Sequence, residues 1–260
     1  KNDVKIDLII TNPKYLLVPR KVLISKKDYL NSKIIYDQNA NNYKNYIKKI
    51  NPDLIFVIGW SGIIRSSIVN IPKYGCIGFH PSKLPFDRGR STLAWQIEEG
   101  KNISAYTAFF LNNKPDMGDI ILQQKFRIKK NDYINDVLDS VDNALKKILP
   151  KIYKMMKKRS FFRKKQNLNS GNYRKLRNEK NSLIDWNNKA SNIYNKIRAI
   201  SKPYPGAHYI LNKKKIKVWR SDILDVKFNK KFIPGKIIKI DKKNKYKVIM
   251  TKDYPIKIYE

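Results

Sequence analysis

The feature that most constrains the fold is an unbroken apolar run from Leu54 to Ile58. It follows the helix-breaking sequence Asn51-Pro52-Asp53 and has the length of a strand rather than of a helix. Apolar residues at every position, instead of at alternate positions, are typical of strands that are buried on both faces, and such strands belong to parallel sheets. We therefore predict an open α/β sheet.

Strand and helix patterns alternate around this run. Short strands are predicted at Ile6 to Ile10 and Cys76 to Phe79, followed by a strand pair at Ala105 to Leu111 and Ile120 to Ile128. Because alternation of this kind indicates βαβ units, we expect a Rossmann-like, open and mostly parallel sheet in a catalytic domain of residues 1–156.

That domain is predicted to end in a long amphipathic helix. Apolar residues recur at intervals of three and four from Asp132 to Met156, and Pro150 should kink or interrupt the helix near its end. Residues 157–182 are basic and lack periodicity, which suits a linker. Residues 183–260 read as a helix followed by short strands and turns, so we expect a small, β-barrel-like (OB-like) C-terminal domain.

Net charge alone does not identify a partner. The formal charge of +35 usually indicates nucleic-acid binding. However, 45 of the 56 basic residues are lysine and 11 are arginine, whereas proteins that read bases and phosphates favour the planar fork of arginine. Compositional drift in an AT-rich coding sequence and selection for a polyanionic partner both stay open.

The composition does exclude several classes of protein. One cysteine and two histidines exclude an internal disulfide scaffold, a multi-cysteine zinc site and a histidine-rich metal centre, so we expect no metal. No apolar run approaches the roughly 20 residues of a membrane span, and no signal-peptide pattern is present. We therefore expect a cytoplasmic protein without a membrane partner.

The residues best suited to chemistry lie in the loop from Gly78 to Arg90, directly after a predicted buried strand. Such loops are where α/β folds bind their ligands. The turn from Asp116 to Ile120 contributes two carboxylates. An imidazole and a carboxylate that meet there form an acid–base pair, because the carboxylate orients the imidazole and the imidazole moves a proton near neutral pH.

These segments resemble the formyltransferases that use 10-formyltetrahydrofolate, which include methionyl-tRNA formyltransferase and the nucleotide-sugar N-formyltransferases. The matching motifs are H-P-S-x-L-P-x-x-R-G-R at His80 to Arg90, then Trp95, then D-x-G-D-I at Asp116 to Ile120. Residues 184–207 and Pro234 to Ile238 are similar to parts of the family's C-terminal region. The resemblance implies the family's fold and 10-formyltetrahydrofolate as a co-substrate.

In that family an Asn, a His and an Asp form the catalytic set. The His corresponds to His80 and the Asp to Asp116, whereas Gly78 stands at the Asn position. The Asn amide helps to hold the formyl oxygen, so this departure leaves three alternatives. Protonated His80 holds the oxyanion alone, a backbone N–H approaching at Gly78 replaces the amide, or the chain is a weak or inactive relative. We expect an active enzyme in which Asp116 orients His80 and relays the amine proton.

A pterin-like ring needs a flat, mostly apolar slot. The candidate folate contacts are Trp60, Ser82, Leu84, Pro85 and Asp119. Ser82 could equally form a turn, and Asp119 is also suited to bracing its own turn.

The class of molecule that carries the acceptor amine is predicted from Arg88-Gly89-Arg90. R-G-R with a following Trp resembles the amino-sugar branch of the family. We expect Arg88 and Arg90 to bind the diphosphate of a nucleotide-linked amino sugar. The stretch from Asn12 to Lys33 lacks the glycine-containing basic insertion of the tRNA branch. The net charge favours tRNA instead. Methionyl-tRNA formylation and a non-catalytic nucleic-acid-binding relative remain alternatives.

Two further expectations concern the protein as a whole. The family's chain opens with a strand, a glycine turn and a helix, and this first βα unit is expected to be missing before Lys1. A homodimer through the second domain is compatible with the sequence, although no residue argues for it.

Overall fold

The structure, a computed structural model, describes residues 5–11, 32–226 and 233–260. Most of the stretch from Asn12 to Lys33 lies outside the described residues. The first part of the chain contains β1 (Leu8–Thr11), β2 (Lys33–Tyr36), α1 (Lys44–Ile50), β3 (Ile55–Val57), α2 (Ser66–Val69), β4 (Cys76–His80), β5 (Arg88–Gly89), α3 (Thr92–Glu98), β6 (Ile103–Phe110), β7 (Ile120–Arg127) and α4 (Ile134–Lys157). The remainder contains β8 (Tyr173–Arg174), α5 (Glu179–Ser182), α6 (Ala190–Ile200), β9 (Ala207–Leu211), β10 (Lys214–Val218), β11 (Arg220–Ile223), β12 (Ile237–Asp241), β13 (Tyr246–Met250) and β14 (Pro255–Tyr259).

The main sheet has the strand order β3-β4-β6-β7, with β1 and β2 forming a separate parallel pair. Strand β4 runs parallel to β3 and antiparallel to β6, and β6 runs antiparallel to β7. The predicted α/β class is confirmed, but this sheet is mixed rather than mostly parallel. The turn between β6 and β7 accounts for the antiparallel pairing of those two strands, because a connection of that length is too short for a parallel crossover.

The apolar run that predicted the sheet is only partly buried, which corrects the expectation that both of its faces are covered. Phe56 is 40% exposed and Ile58 is 46% exposed. Among the described residues, β3 pairs with β4 alone, so one edge of the strand has no neighbour. The strand that is buried at all five positions is β4, which lies between β3 and β6.

Helix α4 is continuous from Ile134 to Lys157, so the predicted interruption at Pro150 does not occur. Pro150 lies on the exposed side of the helix. Water can therefore satisfy the Lys146 carbonyl, which has no N–H partner at position 150. The opposite side of α4 packs on the main sheet through a buried stripe of Ile134, Val137, Val141, Ala144, Ile148 and Ile152.

The segment after α4 follows the surface of the first domain in an ordered path. Lys164 forms an isolated antiparallel bridge with Ile120, and β8 pairs in parallel with β5. Phe161 packs edge-on against Phe110, with 5.7 Å between the ring centroids. The basic segment is thus attached to the loop between β4 and α3 and to the start of β7.

The C-terminal strands do not close into a barrel, which corrects the barrel-like prediction. Strands β9 and β10 form a separate hairpin, and the other four form an antiparallel sheet in the order β11-β14-β13-β12. In the described part of the chain, the edge strands β11 and β12 do not pair with each other. With the hairpin outside the sheet, four strands of four or five residues remain open.

Arg198 joins the two domains from the buried side of α6. Arg198 is 3% exposed, and its guanidinium donates to the Asp132 carbonyl at 2.9 Å and to the Ile97 carbonyl at 3.3 Å. We expect Arg198→Met to lower the free energy of unfolding by about 2 kcal/mol, because both carbonyls lose a charged donor. Urea denaturation measures this, with Asn192→Met at an exposed position of the same helix as the control. Equal stability of the two variants would contradict the expectation.

Candidate active site

A cavity of about 1520 Å³ opens at the carboxyl end of β4 and extends between the two domains. Its first-domain wall includes Trp60, His80, Arg90 and Asp116. Its second-domain wall includes Tyr204, which precedes β9, and Lys215 and Lys217, which lie on β10. A concave site that combines apolar walls with a few convergent polar groups is the usual form of a small-molecule binding site.

His80 is the last residue of β4 and is 7% exposed. Its Nε2 lies 2.8 Å from the backbone carbonyl oxygen of Asp87. Since a carbonyl can only accept a hydrogen bond, Nε2 carries the proton in the neutral ring. Nδ1 is therefore the unprotonated nitrogen, and it is the one directed at Asp116.

Asp116 lies opposite His80, in the turn between β6 and β7. Its Oδ1 is 3.8 Å from His80 Nδ1, whereas its Oδ2 accepts a hydrogen bond from the Gly89 N–H at 2.8 Å. A separation of 3.8 Å is beyond hydrogen-bond length, so both facing atoms are available to a bound group. The turn requires glycine two residues later, because a Cβ at Gly118 would lie 1.7 Å from the Phe110 carbonyl oxygen.

Gly78 also borders the cavity, two residues before His80 on the same strand. Its backbone lies inside the sheet, in register with Val57 on one side and Phe109 on the other. A Cβ at this position would be 2.7 Å from Leu111 Cδ2 and 3.0 Å from Phe109 Cζ. The space beside Gly78 is thus filled by apolar side chains.

The structure brings together five of the residues singled out from the sequence. Trp60, Gly78, His80, Arg90 and Asp116 all line the cavity.

The other predicted contacts lie behind the cavity wall. Ser82 is fully buried and donates to the Phe86 carbonyl at 2.7 Å, and Leu84 packs with Phe109 and Ile120. Pro85 and Asp119 do not line the cavity either.

Arg88 is also buried, and its guanidinium donates to Gln166 Oε1. Of the two arginines of R-G-R, only Arg90 reaches the cavity.

Sequence reasoning missed the buried ion cluster around Asp87. Its carboxylate accepts hydrogen bonds from Lys101 at 2.6 Å, Arg174 at 2.7 Å and Asn172 at 3.2 Å. Burial alone would raise the pKa of Asp87, but the bonds from Lys101 and Arg174 outweigh it and the pKa is lowered. The sequence signal that could have indicated the cluster is a lone aspartate inside an otherwise basic loop.

The lowered pKa predicts a contribution of Asp87 to acid stability. A depressed pKa in the folded state stabilises the protein above the unfolded pKa of about 3.9, and this contribution is lost as the pH falls through the folded value. We expect Asp87→Asn to lower the free energy of unfolding by about 2 kcal/mol at pH 7 and to flatten its decline below pH 4. Urea denaturation between pH 2 and 7 tests this, and a variant with an unchanged acid decline would contradict it.

Two other groups, the Cys76 thiol and the His208 imidazole, are not part of the proposed catalytic pair. Burial raises the pKa of Cys76 to about 12, so its thiol is not a nucleophile near neutral pH. Burial, followed by the charge of Lys215, lowers the pKa of His208 on the second-domain wall. Within residues 5–11, 32–226 and 233–260, no group of three or more His, Cys, Asp or Glu could hold a metal ion. The helices of this part of the chain lack the length or the apolarity to cross a bilayer.

Comparison with known proteins places these residues in a family. A bifunctional polymyxin resistance protein, ArnA, from Wigglesworthia glossinidia brevipalpis is 36% identical over 217 residues, which are 82% of this chain and 33% of ArnA. The methionyl-tRNA formyltransferase of Clostridium tetani is 30% identical over 215 residues, 82% of this chain and 68% of that enzyme. This chain therefore spans about a third of the first relative and about two thirds of the second.

Structure and family comparisons agree with these relatives. WlaRD, a sugar 3N-formyl transferase solved with dTDP and 5-N-formyl-THF, superposes with a TM-score of 0.61, at 21% identity and 98% coverage of both chains, which shows a shared fold. The C-terminal formyl transferase domain model matches residues 177–260, and the formyl transferase domain model matches residues 3–153. Because the latter spans more than half of the chain, this protein belongs to the formyl transferase family.

Proposed function

We propose that the protein transfers a formyl group from 10-formyltetrahydrofolate to the amine of a nucleotide-linked amino sugar. The observation that carries the proposal is the pair formed by His80 and Asp116, whose Nδ1 and Oδ1 lie 3.8 Å apart on the wall of a large cavity. An imidazole nitrogen and a carboxylate oxygen at this spacing can serve a carbonyl oxygen and an attacking amine at the same time.

The cavity has the character that a folate requires. Trp60 and the glycines on either side of it line the cavity next to Phe79 and Leu111, and Asn112 supplies polar groups on the opposite turn. These residues would hold the donor, which supplies the formyl carbon. The formyl transferase family, to which this chain belongs, uses folate donors, and WlaRD was solved with 5-N-formyl-THF.

His80 and Asp116 divide the chemistry between them. The Asp87 carbonyl holds Nε2–H, so protonation of His80 adds a hydrogen at Nδ1, where it can donate to the formyl oxygen as negative charge develops. Asp116, fixed by the Gly89 N–H, accepts the proton that leaves the amine and can pass it to the tetrahydrofolate nitrogen as the bond between that nitrogen and the formyl carbon breaks. Since Leu111 and Phe109 fill the space beside Gly78, His80 is the side chain suited to this oxyanion role.

The acceptor is proposed from the cations that share the cavity. Arg90 on the first domain and Lys217 on the second both line it. A diphosphate needs only two or three such groups, and the cavity volume of about 1520 Å³ leaves room for a sugar nucleotide beside the donor. The match to WlaRD, a sugar 3N-formyl transferase, covers 98% of both chains. This supports the same class of acceptor.

Methionyl-tRNA is the second candidate acceptor. The relative from Clostridium tetani is a methionyl-tRNA formyltransferase, and the net charge of +35 suits a polyanion. The two candidates are separated by incubating the full chain with 10-formyltetrahydrofolate and either amino-sugar nucleotides or charged initiator tRNA. Release of tetrahydrofolate with a sugar nucleotide alone supports the proposal, release with tRNA alone replaces it, and release with neither acceptor refutes both.

Arg90 should distinguish the sugar-nucleotide acceptor kinetically. We expect Arg90→Gln to raise the KM for the sugar nucleotide about tenfold, because one charged contact to the diphosphate is lost. The KM for 10-formyltetrahydrofolate should change less than threefold. Steady-state kinetics measure both constants, with Arg127→Gln at an exposed position of β7 as the matched control. An unchanged acceptor KM in Arg90→Gln would remove this residue from the site.

A further inference from the structure

We propose that residues 161–174, between the two domains, act as a strap that positions both catalytic side chains. Gln166 positions Asp116, and Asn172 and Arg174 position His80. The inference rests on the proposed function, because it assigns these residues to the support of the same reaction. The strap is defined here as the stretch from Phe161 to Arg174.

Gln166 supports the turn that carries Asp116. Its Nε2 donates to the carbonyl oxygens of Asp116 at 2.9 Å and of Gly118 at 2.8 Å, and its Oε1 accepts from Arg88. Asp116 has a left-handed backbone with a φ of 57°, which costs free energy in a residue other than glycine. The amide of Gln166 therefore binds the strained peptide that directs the Asp116 carboxylate towards His80.

Asn172 and Arg174 support the peptide that holds His80. Asp87 has a φ of 54°, and its backbone N–H donates to Asn172 Oδ1 at 2.7 Å. Its carboxylate accepts from Arg174 Nε at 2.7 Å, while the other two nitrogens of the same guanidinium bind Glu99 at 2.6 Å each. These bonds fix Asp87 at both its backbone and its side chain, and the Asp87 carbonyl selects the tautomer of His80.

The strap is attached firmly enough to serve this role. The backbones of Lys164 and Ile120 exchange two hydrogen bonds, at 2.8 and 2.9 Å. Tyr173 donates from its hydroxyl to the Pro115 carbonyl at 2.6 Å, next to Asp116. Gly171 passes so close to the loop that a Cβ there would lie 2.1 Å from the Pro85 carbonyl oxygen. The strap thus touches the His80 loop and the Asp116 turn together.

The Asp87 side of the strap is tested with Arg174→Gln in the full chain. Because the chain has only two histidines, imidazole 15N NMR resolves His80, and His80→Gln assigns its signals. We expect the wild type to hold the proton on Nε2 and Arg174→Gln to show a mixture of tautomers, with kcat about tenfold lower and the KM for 10-formyltetrahydrofolate changed less than threefold. Arg174→Lys should recover part of both. A wild-type tautomer in a folded Arg174→Gln variant would overturn this half of the proposal.

The Gln166 side is tested with Gln166→Met and Gln166→Glu. A glutamate still accepts from Arg88 but cannot donate to the two carbonyls when ionised, so both variants should lose about 10- to 100-fold in kcat. Amide hydrogen exchange of Gly89, which donates to Asp116 Oδ2, should become at least tenfold faster. Gln124→Met is the matched control, because among the described residues the amide of Gln124 donates only to the adjacent Lys125 carbonyl. Wild-type exchange at Gly89 in both Gln166 variants would overturn this half.

The two kinds of failure remain distinguishable. The tautomer of His80 and the exchange of Gly89 are measured without donor or acceptor, so they test the strap even if no acceptor is formylated. Absence of turnover in the wild type, with the expected NMR changes in the variants, would refute the proposed function alone. Normal turnover with unchanged NMR readouts in all strap variants would refute the strap alone.

Discussion

Replacing His80 with glutamine is expected to lower kcat for formyl transfer by about 1000-fold or more. Two contributions combine in this loss. General acid–base catalysis typically supplies about 100- to 10,000-fold, and a donor to a developing oxyanion supplies about 100- to 1000-fold. Glutamine is the sharper substitution, because its amide can still donate to the Asp87 carbonyl and keep the loop in place, yet it does not exchange a proton near neutral pH.

The measurement is the steady-state release of tetrahydrofolate with saturating donor and acceptor. Thermal unfolding of His80→Gln within a few degrees of the wild type would show that the loss is chemical rather than structural. A kcat within tenfold of the wild type in the folded variant would contradict the assignment of His80. It would then favour a backbone donor, although the sheet pairing of Gly78 speaks against one.

Asp116→Asn is expected to lower kcat by about 100- to 1000-fold through a different route. The asparagine oxygen can still accept the Gly89 N–H, so the turn should keep its conformation. The amide cannot accept the amine proton, and its N–H can instead bind the lone pair of His80 Nδ1, which lies 3.8 Å from Oδ1 in the wild type. The reaction therefore loses its proton acceptor at position 116, and His80 Nδ1 is no longer available to the formyl oxygen.

The control for this variant is Asp53→Asn, the same chemical change at an exposed aspartate that does not line the cavity. It should leave kcat within twofold of the wild type. For Asp116→Asn we expect the KM for the donor to change less than kcat, because the carboxylate accepts a proton during the chemical step and is not proposed to bind the donor. A large rise in KM with an unchanged kcat would instead make Asp116 a binding residue.

The central pair of the site could be predicted from the sequence because it depends on local order along the chain. His80 ends a buried strand, and Asp116 follows the strand next to it in the sheet, so the topology brings the two together. Arg90 and Trp60 also follow from their places beside strand ends. The mixed sheet was not evident, because the apolar run at Leu54 to Ile58 favours a parallel partner for its own strand and carries no information on the direction of β6 and β7.

The strap could not be predicted, and the reason is physical. Gln166 and Asn172 act on backbone carbonyls and N–H groups, which every residue possesses, so their partners have no sequence signature. The strap is also an irregular segment with one two-residue strand, and its periodicity therefore carries no information. The buried position of Arg88 has the same origin, because its partner Gln166 lies 78 residues further along the chain.

The packing beside Gly78 has a consequence for how this site can change through mutation. Substituting asparagine there would place a branched amide against Leu111 and Phe109, and such overpacking typically costs about 1–3 kcal/mol. An asparagine at position 78 therefore requires the Leu111 methyl group and the Phe109 ring to shift, or a smaller residue at position 109 or 111. The fit of an asparagine at position 78 thus depends on the residues at positions 109 and 111, so we expect substitutions at the three positions to have non-additive effects.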